Sequence, residues 1–124
     1  MSMTRDEMLA HIDAKAGAVR AKYITVAPGQ EATYIIKGEQ ARAFAANGFA
    51  GSPPSMISAE AAATGQTPRQ AAERITLEES AWINLAAQIE AARRSAKEGI
   101  TTAPSEAVAQ AVFEGAVTGF SAYL

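Results

Sequence analysis

The chain has 124 residues, a formal net charge of −2 and a pI near 5.4. That length suits one domain, and so acidic a balance provides no basic field to attract nucleic acid or anionic lipid. It has no cysteine, which excludes disulfides, thiolate metal sites and a cysteine nucleophile.

About a quarter of the residues are alanine, the best helix former and one that buries little apolar surface. Aromatics make up only 6%. Such a chain forms helices readily but is poorly equipped to build a large core. Composition therefore predicts a small all-α protein, a long helical hairpin or small bundle completed by copies of itself or by a larger partner.

Thr4-Arg5-Asp6-Glu7 is a T-x-x-E capping box, with its acids where the helix dipole favours them. Behind it Met8, Ile12, Ala16, Val19 and Tyr23 recur at three- and four-residue steps, one helical face. The first helix is expected over 5–25, before Ala27-Pro28-Gly29. A second follows over 28–46, with Pro28 in its first turn and Asn47-Gly48 as its stop. Tyr23, Pro28, Gly29 and Tyr34 are expected to build the corner between them, with a tyrosine clasp. Ser52 is placed to cap a short third helix ending at Gly65.

Thr67-Pro68-Arg69-Gln70 combines a cap, a first-turn proline and a capping-box glutamine. The fourth helix is expected over 68–98, with Gly99 as its stop. Its apolar stripe reads Ile75, Trp82, Leu85, Ile89, Ala92 and Ala96, flanked by i,i+4 pairs Arg69–Glu73, Arg74–Glu78 and Glu90–Arg94. Trp82 on this stripe reads first as a core filler and second as an interface anchor.

Residues 1–102 thus read as a helical body. Residues 103–124 read as an apolar docking segment carrying Val108, Val112, Phe113, Val117, Phe120, Tyr123 and Leu124. Gly115 and Gly119 have the spacing that lets helices approach closely; without a packing reason they would break the helix. The N-terminus carries no signal-peptide pattern, and no apolar stretch is long enough to span a membrane.

No constellation announces a reaction. His11 is the only histidine and reads as part of a solvated helix face. The adjacent carboxylates Asp6-Glu7 and Glu78-Glu79 do not face each other on a helix, so neither pair forms an acid/base dyad. Arg93, Arg94 and Lys97 read as cations near a helix C-terminus before they read as a phosphate clamp. No catalytic residue, metal site or cofactor is expected.

The chain resembles small alanine-rich proteins encoded beside tail-fibre genes in tailed phages and prophages of high-GC bacteria. The likeness rests on Arg20, Tyr23-Ile24-Thr25, Pro28-Gly29-Gln30-Glu31, Tyr34, Lys37, Glu39 and Ala41. It continues in Trp82 and in Ile89-Glu90-Ala91-Ala92-Arg93-Arg94 followed by Lys97, and reaches to about Thr102. The resemblance implies a non-enzymatic tail or fibre component, found in the virion tail or in the host cytoplasm during assembly. A tail-fibre assembly chaperone absent from the virion, or an inhibitor of a host defence system, are the alternatives. A homo-oligomer is expected, a trimer if it follows fibre symmetry, in contact with a phage tail or fibre protein. Trp82 and the apolar C-terminal residues are the candidate partner-binding set.

Overall fold

A computed structural model describes residues 3–23 and 31–124. It contains helices α1 (Arg5–Tyr23), α2 (Glu31–Ala46), α3 (Ser55–Thr64), α4 (Pro68–Thr102) and α5 (Glu106–Ser121), and no strand among the described residues. The protein is all-α. The corner expected at Pro28 and Gly29 lies outside the described residues. Two compact units divide the chain, Met1–Thr25 with Leu85–Leu124, and Val26–Asn84. This replaces the expected body and separate tail, because α5 belongs to the first unit's core.

In that first unit, the capping box forms as expected. The Glu7 amide donates to Thr4 Oγ1 and the Thr4 amide to Glu7 Oε1, each at 3.1 Å. Met8, Ile12, Ala16 and Val19 are all buried, as their spacing requires. They pack with Ile89, Ala96 and Ile100 of α4 and with Ala109, Phe113 and Phe120 of α5. The result is a three-helix core in which α5 supplies the two largest side chains.

Helix α4 does not stop at Gly99 but runs to Thr102. Gly99 has another purpose: a Cβ there would lie 2.9 Å from Val112 Cγ1. The glycine lets α5 approach α4. Beyond it, the Arg5 guanidinium donates to the carbonyls of Ile100, Thr101 and Ala103 at 3.1, 3.4 and 2.9 Å. These are among the carbonyls a helix end leaves unpaired. Ser105 then caps α5, accepting from the Val108 amide at 3.2 Å. The helix passes through Gly115 and Gly119 unbroken, and a Cβ at either would meet nothing within 4 Å. Neither glycine has a packing role among the described residues.

In the second unit, α2 ends at Asn47-Gly48 as expected, with Gly48 at φ 65°. Phe49 follows at φ 59°, an uncommon conformation for a non-glycine residue. Its ring meets Phe44 edge-on at 5.5 Å, and the Arg69 guanidinium lies 4.7 Å from its centroid. Ser52 is not the cap of α3. Pro54 occupies that position and has no side-chain cap bond. The Met56 amide donates instead to Gln40 Oε1 of α2 at 2.8 Å, a long-range substitute. Gly65, left-handed at φ 70°, closes α3. Thr67 and Gln70 form the predicted reciprocal cap at 3.1 and 3.0 Å. The core here is Ala41, Phe44, Ile57, Ala61, Ala71, Ala72 and Ile75.

The α4 stripe is only partly a core stripe. Ile75, Ile89 and Ala96 are buried and Leu85 half-buried, whereas Ala92 and Trp82 are exposed. Trp82, at 40% exposure, is not the core filler its spacing suggested.

Two substitutions test this packing. Phe120→Ala should lower unfolding free energy by ~3–5 kcal/mol, as for other buried Phe truncations, measured by urea denaturation. Gly99→Ala should destabilise despite alanine's ~1 kcal/mol helix-propensity advantage, because the stiff Val112 side chain must move. In a Val112→Ala background the same change should become neutral or stabilising.

Candidate contact surface

Charged groups of the first unit are largely occupied with one another. Asp13 accepts from Arg93 and from Lys97, both at 2.9 Å. Glu90 pairs with Arg93 at 2.8 Å and with Arg20 at 3.0 Å, not with Arg94 as its i,i+4 spacing suggested. No basic residue lies in the last turn of α4, so Arg93 and Lys97 act as links to α1 rather than as helix-end cations. Hydrogen bonds from Lys97 and then Arg93 hold the Asp13 carboxyl below its ordinary pKa of 3.8. The Glu90 carboxyl is lowered likewise, chiefly by its hydrogen bond with Arg93.

His11 is exposed, its ring edge-on to Phe113 at 5.4 Å. Among the described residues no group of three His, Cys, Asp or Glu side chains could hold a metal ion. Nor is any described helix long and apolar enough to cross a membrane.

The C-terminal candidates have mostly intramolecular work. Phe113 and Phe120 are buried, and Val112, Val117 and Tyr123 pack against the same cluster. Phe113 and Phe120 cannot serve a partner without leaving that core, whereas Val112, Val117 and Tyr123 are only partly buried. Only Val108 and Leu124 stand well exposed, at 41% and 51%. Tyr23 also binds within the unit: its hydroxyl donates to the Tyr123 carbonyl at 2.8 Å, and Lys22 reaches the same carbonyl at 2.8 Å. The tyrosine's clasp is with the end of α5 and its following residues.

The second unit presents the opposite economy. Its buried large apolar side chains are Phe44, Ile57 and Ile75. Against these, Tyr34, Ile35, Ile36, Leu77, Trp82 and Ile83 are all more than two-fifths exposed or at that level. Helix α2 packs antiparallel to the first half of α4. Ala45 and Phe49 line an open groove of about 310 Å³ with Glu73, Thr76, Leu77 and Ser80, while earlier along α2 Arg42 pairs with Glu79. Gly38 lies at the same level, where a Cβ would collide with the Glu79 carboxylate. One turn further, Tyr34 precedes Gly38 by four residues, and Trp82 and Ile83 follow Glu79 by three and four. These apolar side chains therefore share one end of the α2/α4 pair.

Every Lys and Arg of this unit is paired within it: Lys37–Glu60 at 3.0 Å, Arg42–Glu79, Arg69–Glu73 at 2.9 Å and Arg74–Glu78 at 3.0 Å. The surface is thus apolar between neutralised charges. It suits an apolar protein face better than an anionic ligand. Sequence reading singled out Trp82 and Tyr34 but passed over Ile35, Ile36, Leu77 and Ile83. A usable signal existed: three large apolar residues in succession on a helix, 100° apart, cannot all face one core.

Comparison with known proteins finds no family model, curated protein or solved structure that matches this chain.

Acidification tests the charge links. Because the folded-state pKa of Asp13 is lowered, its stabilisation is present above about pH 4 and lost as pH falls through the folded value. Urea midpoints at pH 7 and pH 3 should therefore converge in Asp13→Asn relative to the wild type.

Proposed function

We propose that this protein is a non-enzymatic bacteriophage component, associated with the tail or its fibres, that works by protein–protein contact. One observation carries the contact reading: the second unit exposes more large apolar side chains than it buries. Monomeric proteins rarely leave extended apolar surface uncovered, and such surface marks an interaction site. The paired cations of that unit support a protein partner over nucleic acid or phosphate. The phage context rests on the resemblance carried by Tyr23-Ile24-Thr25, Pro28-Gly29-Gln30-Glu31, Tyr34 and Trp82. In this reading Trp82 and its apolar neighbours make the contact, while the C-terminal aromatics hold the chain together.

Mass spectrometry of purified phage particles, with an affinity pull-down from infected cells, tests the assignment. A structural part is expected at stoichiometric level in the particle. Absence from the particle together with recovery of the fibre would replace it by an assembly chaperone. Recovery of a host protein alone would refute both.

A further inference from the structure

We draw no further inference here: the strongest candidate, the exposed apolar surface patch around Trp82 and Ile83 on α4, carries nothing because nothing in the structure shows what covers it.

Discussion

A single guanidinium holds the first unit's chain ends in register. Arg5 lies in the first turn of α1, where a cation opposes the helix dipole, and its placement makes sense only in the tertiary fold. It donates to three carbonyls around the end of α4 and, through Nε, to Glu106 at the start of α5 at 3.0 Å. Three helix termini are tied by one planar, multiply donating group, a task for which lysine's point charge is a poor substitute. The sharp turn from α4 into α5 leaves carbonyls that water would otherwise have to satisfy, and Arg5 satisfies them from across the fold. With that turn held, α5 lies against α1 and α4, and Phe113 and Phe120 reach the core.

Alanine-rich helices gain stability by approaching closely rather than by filling volume. Gly99 against Val112 is a place where even a methyl group would be too much, whereas Gly38 faces only the flexible end of Glu79. Elsewhere, Ala16, Ala96 and Ala109 in one unit and Ala41, Ala61, Ala71 and Ala72 in the other form the contact faces. The first unit adds four large aliphatic or aromatic side chains from α4 and α5 to those of α1, which is enough to close a core. The second unit has Phe44, Ile57 and Ile75 for the same task. Phe49 packs partly buried against them, but Tyr34, Ile35, Ile36, Leu77, Trp82 and Ile83 are exposed, and this surplus is what directs the functional reading to that unit.

The charge arrangement separates the units in a different way. In the first, Asp13, Arg93, Lys97, Glu90 and Arg20 form a network between α1 and α4. Exposed pairs of this kind contribute little singly and more as a network. In the second, Lys37–Glu60 and Arg42–Glu79 link different helices, whereas Arg69–Glu73 and Arg74–Glu78 stay on the surface of α4. Their shared effect is to remove cations from play as ligand-binding groups. Recognition is left to shape and apolar area.

Local chemistry was legible in the sequence wherever the cause was local. The Thr4–Glu7 and Thr67–Gln70 boxes, the Asn47-Gly48 stop, the αL closure at Gly65 and the Met8–Val19 face all depend on residues within one or two turns. Composition likewise determined the all-α class. What only the tertiary structure decided involves partners far apart in the chain. Gly99 reads as a stop until Val112 is seen beside it. Gln40 caps α3 from another helix, where Ser52 was the local candidate. Trp82 keeps perfect heptad spacing with Ile75 and Ile89, yet stays exposed, while Phe113 and Phe120 are drawn inward. Periodicity specifies which face of a helix a side chain shares; whether anything covers that face is set by neighbours that the local sequence does not name.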